Sequence, residues 1–143
     1  MRLEITRKTD LAIRAIIELS SEDGPVRAAK LAEAIGATPQ FAPQVMAPLV
    51  RAGWVVSYPG PKGGHELVAD LDALSVLDVV EAVEGATVDG QCVLQGTPCP
   101  TTEFCALHHA WVEARELLLG KLSATSLADV MSDLPYGDTI ADG

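Results

Sequence analysis

Apolar residues recur at helical spacing in the first third of the chain. The first stripe predicts a helix over residues 10–20, ended by Gly24 and Pro25. Its apolar members are Leu11, Ile13, Ile16, Ile17 and Leu19. A second, shorter stripe predicts a helix over residues 27–35, and Gly36 stands where a left-handed C-cap belongs. The chain therefore opens with two helices joined by a short connection.

A third helix is predicted between Thr38 and Gly53. Thr38 offers an N-cap oxygen, and Pro39 takes the first helical position, where its missing N–H costs nothing. Pro43 and Pro48 fall inside this span, and each removes a backbone donor. We therefore expect a distorted helix that stops at Gly53.

β-Branched and aromatic residues follow the third helix and predict a hairpin. Residues 54–58 form one strand and residues 65–68 the other, with the glycine- and proline-rich turn 59–64 between them. Two helices across a glycine turn, followed by a hairpin, are typical of a winged helix-turn-helix. We predict a mainly α fold with a small β-hairpin wing; a generic small helical domain is the alternative.

Two serine–aspartate pairs mark further helix starts. Ser75 with Asp78 forms a capping box for a helix that Gly85 closes, and Ser126 with Asp129 caps a last short helix. Between them lies a long helix whose apolar residues recur three and four apart: Phe104, Leu107, Trp111, Ala114, Leu118 and Leu122. The part of this stripe from Phe104 to Leu118 exceeds what so small a domain buries internally, so we expect these residues (Phe104, Leu107, Trp111, Ala114 and Leu118) to form a homodimer with a twofold axis.

The predicted elements divide the chain into four parts. Residues 1–85 form a winged helix-turn-helix DNA-binding domain, and residues 86–105 a cysteine-bearing loop. Residues 104–134 hold the dimerisation helix and the short terminal helix, and residues 135–143 form a loose tail.

Composition limits the class of protein. The 143 residues are 48% hydrophobic but only 4% aromatic, so the core is built from aliphatic side chains. No apolar run is long enough to span a membrane, and the N-terminal charges precede no apolar stretch of the secretory kind. Three cysteines make a poor disulfide framework, which favours a reducing cytoplasm.

The net charge of −10 is unevenly distributed. Residues 1–65 carry eight Lys and Arg against six Asp and Glu, giving +2, whereas residues 66–143 carry two against fourteen, giving −12. The division permits an N-terminal part that faces a polyanion and an acidic part that faces away from it.

Candidate DNA contacts follow from this arrangement. The N-terminal end of the third helix enters the major groove in such domains, and it carries Thr38, Gln40, Phe41 and Gln44. Glutamine pairs bidentately with adenine, although an exposed glutamine is usually only solvated. In the wing turn, glycines such as Gly63 let the backbone approach a phosphate, which Lys62 neutralises. Three more basic residues are candidates for phosphate contacts: Arg27, Lys30 and Arg51. Each could equally serve only to keep the surface soluble.

Cys92, Cys99 and Cys105 lie within fourteen residues where a loop enters the long helix, and His108 follows one turn later. Thiolates are soft ligands for iron and zinc, so the set suits an iron–sulfur cluster, with a zinc site of three cysteines and His108 as the runner-up. Three small buried hydrophobic residues are the other alternative. Nothing supplies the substrate pocket or orienting carboxylate of a cysteine enzyme, so we expect no enzyme.

In combination, these features resemble the Rrf-type family of winged-helix transcriptional regulators (IscR/NsrR-like). The resemblance rests on Met1-Arg2-Leu3, on Gly60-Pro61-x-Gly63-Gly64 in the wing, and on three cysteines before a long helix. It implies bacterial dimeric regulators whose iron–sulfur cluster alters promoter binding, with the three cysteines as ligands. Tyr58-Pro59 before the wing glycines and His65 after them depart from the family pattern.

The resemblance leaves the fourth cluster ligand open. His108 lies where an iron–sulfur assembly regulator has its cluster histidine, which implies a [2Fe–2S] centre. Thr9-Asp10 resembles the start of a nitric-oxide sensor, whose aspartate reaches a [4Fe–4S] cluster across the dimer. Asp10 also suits the first turn of a helix on electrostatic grounds alone.

The sequence thus predicts a cytoplasmic, homodimeric repressor-like regulator that reads a pseudo-palindromic operator in double-stranded DNA. Its cluster would sense nitric oxide, redox or iron status. The alternative is a zinc-stabilised structural or protein-interaction winged-helix module without DNA binding.

Overall fold

Six helices and one two-stranded hairpin make up the part of the chain that the computed structural model describes, namely residues 3–87, 92–94, 97–98 and 105–133. In chain order these are α1 (Arg7–Ser20), α2 (Ala28–Ile35), α3 (Ala42–Arg51), β1 (Val55–Tyr58), β2 (Gly64–Leu67), α4 (Val76–Glu84), α5 (Ala106–Ala124) and α6 (Leu127–Asp133). The predicted mainly α fold with a hairpin wing is confirmed. The predicted tail 135–143 lies outside the described residues.

Helix α1 lies at the centre of the fold. It begins where the Thr6 hydroxyl accepts a hydrogen bond from the Thr9 backbone amide, at 3.2 Å. Its apolar residues are buried on several sides, because α1 packs against α2, α3, α4, α6 and β2. Leu11 and Ile16 are almost wholly inaccessible to solvent, and burying such a side chain contributes about 1.5–3 kcal/mol.

The third helix begins later than the capping pattern predicts. Helix α3 starts at Ala42, and the residues before it form a turn in which the Thr38 hydroxyl accepts a hydrogen bond from the Phe41 amide at 3.1 Å. Phe41 then packs against the core. The prediction of Pro39 as the first helical residue is therefore wrong, because Thr38 closes a separate turn and does not cap the helix.

The later start changes how the two prolines fit. Pro43 falls in the first turn of α3, where its missing N–H would have no intrahelical partner. Pro48 lies inside the helix, is buried, and removes the amide that would bond the Gln44 carbonyl. The helix still closes beyond Pro48, since the Ala52 amide donates to the Pro48 carbonyl at 3.0 Å. Only Pro48 therefore interrupts the hydrogen bonding of α3.

Both serine–aspartate pairs cap helices as predicted. The Ser75 amide donates to the Asp78 carboxylate at 2.9 Å, and the Asp78 amide donates to the Ser75 hydroxyl at 3.0 Å. Ser126 and Asp129 make the same two bonds, each 3.1 Å long, at the start of α6. Each pair satisfies backbone donors that a helix start leaves without intrahelical partners.

Helix α6 returns the end of the described chain to the central core. Leu127 is fully buried, and its amide donates to the Leu74 carbonyl at 2.8 Å. Alongside, the Val76 amide donates to the Thr125 carbonyl at 2.9 Å. The C-terminal end of α5 is thus fixed next to the start of α4.

The wing is attached to the segment between α1 and α2. Strands β1 and β2 pair antiparallel, from Val55 opposite Leu67 to Tyr58 opposite Gly64. The backbones of Val26 and His65 exchange two hydrogen bonds, each 2.8 Å long. At Gly64, whose φ is +149°, an added Cβ would lie 2.2 Å from the Val26 carbonyl oxygen. The wing glycine is therefore required by packing against the protein's own backbone.

We expect Gly64→Ala to destabilise the protein far more than Gly60→Ala. Both positions have positive φ, which costs an L-residue about 1–2 kcal/mol, but a Cβ at Gly60 meets open space. Urea unfolding of both variants measures the difference. Equal losses of stability would contradict the close packing of Gly64 on Val26.

Candidate nucleic-acid interface and cysteine site

Helix α3 presents one exposed face beside the wing. Val45, Met46 and Leu49 turn into the core, whereas residues on the other side are exposed. The exposed residues are Pro43, Gln44, Ala47, Val50 and Arg51. Because they lie three or four apart along the helix, they form one continuous strip.

A hollow of about 390 Å³ lies between this face of α3, helix α2 and the hairpin. Its wall is mostly apolar and includes Ala28, Leu31, Pro43, Met46, Ala47 and Val50. Polar groups enter it from Arg51, Ser57 and His65. Among the predicted DNA-contacting residues, only Arg51 lines this hollow; its apolar wall was not predicted from the sequence.

His65 connects the wing to this hollow. Its Nδ1 lies 2.8 Å from the Ser57 hydroxyl oxygen on the facing strand. Partial burial lowers the pKa of the imidazole below its ordinary value, because desolvation disfavours the charged form. A neutral ring at pH 7 follows, so His65 adds no positive charge to the wing there. In the sequence, this position is marked by the departure of His65 from the family pattern.

The residues that the sequence predicts to contact DNA bases differ in how exposed their side chains are. Thr38, Gln40 and Gln44 are exposed at or near the start of α3, where side chains are accessible to a ligand. Phe41 is half-buried against the core, so its role is partly structural.

The wing tip exposes Lys62 but not its neighbour Gly63. Gly63 is buried, and an added Cβ would lie 2.0 Å from the Tyr58 carbonyl oxygen. Close packing inside the turn thus accounts for this glycine, independently of any phosphate.

The three basic side chains predicted to contact phosphate are all exposed. Arg27 is exposed at the start of α2 and lines a second hollow with Gly60 and Pro61 of the wing turn. Arg51 is exposed in the last turn of α3. Lys30 forms an ion pair with Glu22 at 3.1 Å, yet its side chain stays 61% exposed. Such an exposed pair contributes little, so the lysine can exchange its partner at small cost.

Cys105 lies at the N-cap of α5 and is exposed. His108 is one turn later, and its backbone amide donates to the Cys105 carbonyl at 3.0 Å. The Cys92 amide donates to the Thr97 carbonyl at 2.6 Å. Cys99 lies outside the described residues. Within the described ranges, no three His, Cys, Asp or Glu side chains gather closely enough to hold a metal ion.

Asp10 lies in the first turn of α1, next to a residue that connects α1 to the end of α4. Its carboxylate accepts from the Arg14 guanidinium at 3.1 Å. The hydroxyl of its neighbour Thr9, which is fully buried, donates to the Glu84 carboxylate at 2.5 Å. Glu84 is the last residue of α4, so this bond fixes α1 next to the point where the cysteine segment begins.

Helix α5, described over its whole length, has no buried residue within the single chain. Leu107 is 39% exposed and Leu118 50%, while Trp111 is half-buried. Ala114 is exposed, and so is Leu117, a residue that the predicted stripe omits. Phe104 lies outside the described residues. The helix therefore offers an extended apolar surface.

None of the described helices combines the length and apolar character needed to cross a membrane.

The chain is similar to known transcriptional regulators over almost all of its length. The model of the Rrf2 family, described as iron-dependent transcriptional regulators, matches residues 5–133. The chain is 31% identical over 141 residues to a protein of Azotobacter vinelandii named as an HTH-type transcriptional regulator, ORF2; the match covers 96% of this chain and 85% of that protein. It is 29% identical over 133 residues to the HTH-type transcriptional regulator IscR of Klebsiella pneumoniae, covering 92% and 81%.

Solved structures show the same fold. CymR, the global cysteine regulator of B. subtilis, matches with a TM-score of 0.74 and 26% identity, covering 93% of this chain and 99% of that one. T. potens IscR matches with a TM-score of 0.73 and 23% identity, covering 95% and 91%. These relatives do not favour a winged-helix module without DNA binding. The chain belongs to the Rrf2 family of winged-helix transcriptional regulators.

Proposed function

We propose that the protein is a homodimeric regulator whose promoter binding is controlled by an iron–sulfur cluster held by Cys92, Cys99 and Cys105. The signal is nitric oxide, redox state or iron status. The observation that carries the proposal is the position of Cys105, which joins the cysteine segment to the helix with the exposed apolar surface. A change at the cysteines thereby acts on the surface through which two copies would associate.

Exposed groups on two elements support DNA binding. Gln40 and Gln44, near the start of α3, suit base contacts in the major groove. Lys62 on the wing and Arg27 on α2 suit phosphate contacts, which set register and orientation. The N-terminal part has an excess charge of only +2, so few phosphate contacts are expected and base contacts matter more.

The donor chemistry of the cysteine segment fits a cluster. Thiolates are the usual ligands of iron–sulfur centres, and Cys105 is exposed at the N-cap of α5, where a ligand can reach it. A bound cluster would supply a centre that changes its charge or ligands on oxidation or nitrosylation. Zinc is the competing metal, since three cysteines and a histidine also suit a tetrahedral site.

His108 is the better supported fourth ligand. It lies one helical turn from Cys105, so both side chains can reach one centre. Asp10 forms an ion pair with Arg14 within its own chain, and this pair is weak enough to exchange, so the preference for His108 rests on its closeness to Cys105.

The first turn of α5 connects the proposed cluster ligands to the helix that would form the dimer. Altered ligation of Cys105 or His108 would move this turn, and with it the spacing of the two α3 helices in a dimer. Coupling energies of about 1–3 kcal/mol between two sites correspond to affinity changes of about 5–150-fold, which suffices for a promoter switch.

Selection from random DNA duplexes tests the DNA-binding part of the proposal. We expect cluster-loaded or cluster-free protein to enrich a symmetric motif whose half-sites are about one helical turn apart. Gln44→Ala should cost about 1–3 kcal/mol and relax specificity at one base, because a bidentate contact is lost.

Lys62→Ala should instead weaken all sequences alike and lower the salt slope by about one unit per half-site. Lys121→Ala, an exposed lysine on α5, is the matched control and should leave the slope unchanged. If neither form of the protein enriches a symmetric motif, the DNA-binding proposal is wrong.

Iron and sulfide content after anaerobic purification tests the cluster. Replacing any of Cys92, Cys99 or Cys105 by Ala should abolish iron binding and visible absorbance. His108→Ala should change the spectrum, whereas His109→Ala, its exposed neighbour, should not. A response to Asp10→Ala alone would assign the fourth ligand to Asp10. Full iron content in all three cysteine variants, or zinc without visible absorbance, would contradict the cluster.

Sedimentation tests the dimer. Trp111→Asp should give monomers that no longer bind DNA, because a charge in the middle of the α5 surface opposes its burial. Glu113→Ala, an exposed change on the same helix, is the control and should stay dimeric. A wild type that sediments as a monomer at micromolar concentration would refute the dimer.

A further inference from the structure

The exposed strip of α3 contains more apolar than hydrogen-bonding side chains. Pro43, Ala47 and Val50 are exposed there, and Val50 is 38% exposed. Gln44 and Arg51 are the polar members of the strip. A helix that reads bases by hydrogen bonds alone would not need three exposed apolar residues along this strip.

The apolar residues occupy a defined place between the polar ones. Ala47 is four residues from Pro43 and three from Gln44, so all three side chains are neighbours on the helix surface. Arg51 is one further turn along the same strip, and it lines the apolar hollow together with Pro43 and Ala47. The small apolar patch is thus bordered by a cation and by an amide that can pair with a base edge.

The major groove offers one apolar feature to such a patch. Thymine carries a C5-methyl group there, whereas the other base edges present only hydrogen-bond donors and acceptors. Arg51 lines the same hollow as the patch, and Arg27 lines the second hollow beside the wing turn, so their positive charges complement the phosphates that flank any groove. Charge and apolar surface therefore both fit a duplex.

We propose that Ala47, with Pro43, packs against a thymine methyl group in each half-site of the operator, beside the base that Gln44 contacts. This proposal rests on DNA binding through α3 and adds the base that the apolar part of the helix selects. Thymine is preferred over uracil and over unmethylated cytosine at that position, because neither alternative supplies the methyl group.

Deoxyuridine substitution measures the contribution of the methyl group. In a duplex carrying the selected motif, each thymine is replaced in turn by deoxyuridine, which removes one methyl and leaves the pairing edge unchanged. We expect about a fourfold loss of affinity at one or two positions per half-site, the effect of burying a single methyl-sized group. If deoxyuridine leaves the affinity unchanged at every thymine of the selected motif, the methyl-contact proposal is wrong, whereas DNA binding itself still holds.

Two variants of Ala47 assign the effect to this residue. In Ala47→Gly and in Ala47→Ser, the ratio of affinities for the thymine and uracil duplexes should fall to about one at the sensitive position. The ratio is internal to each variant, so a general loss of stability does not affect it. Ala29→Gly, an exposed alanine of α2 outside the hollow, is the control and should keep the wild-type ratio. An unchanged ratio in both Ala47 variants would overturn the assignment.

Discussion

Helix α1 lies at the centre of the described fold, with its aliphatic side chains packed against most of the other elements. It packs against four other helices and the second wing strand, so its aliphatic side chains, together with α4, help to orient α3 and the hairpin. The same helix carries Thr9, whose hydroxyl reaches the end of α4. The proposed DNA-contacting surface and the start of the cysteine segment are therefore both packed against or bonded to one element.

Much of the fold is predictable because its signals are local. Ser75 with Asp78 specifies a helix start within four residues, and the structure forms the two expected bonds. The start of α3 was not predictable in this way, because Thr38 supplies a hydroxyl equally able to close a turn or cap a helix. Packing of Phe41 against distant core residues favours the turn, and such a contact leaves no trace in a local pattern.

In the candidate site, too, features set by local signals were predictable, and features set by packing between distant residues were not. Exposure of Gln44 and Lys62 follows from their positions on predicted elements. The reason for Gly64 does not, since the Val26 carbonyl that excludes a side chain is far away in sequence. The apolar strip around Ala47 was also missed, because an alanine in a helix is equally compatible with core and surface. Cys99 and Phe104 lie outside the described residues, so their roles remain predictions from sequence.

Because α6 packs against the core, α5 is held at its C-terminal end and can act as a lever. Leu127 in the core and the bond between Thr125 and Val76 hold the C-terminal end of α5, while its other end begins at Cys105. The 19 residues of α5 span about 28 Å at a helical rise of about 1.5 Å per residue. A tilt of about 5° at the held end then carries the Cys105 end through about 2.5 Å at this length. A small rotation about the end of α5 that lies next to buried Leu127 thus displaces Cys105 by more than an atomic radius, and a displacement of that size at Cys105 needs only a small tilt at the held end.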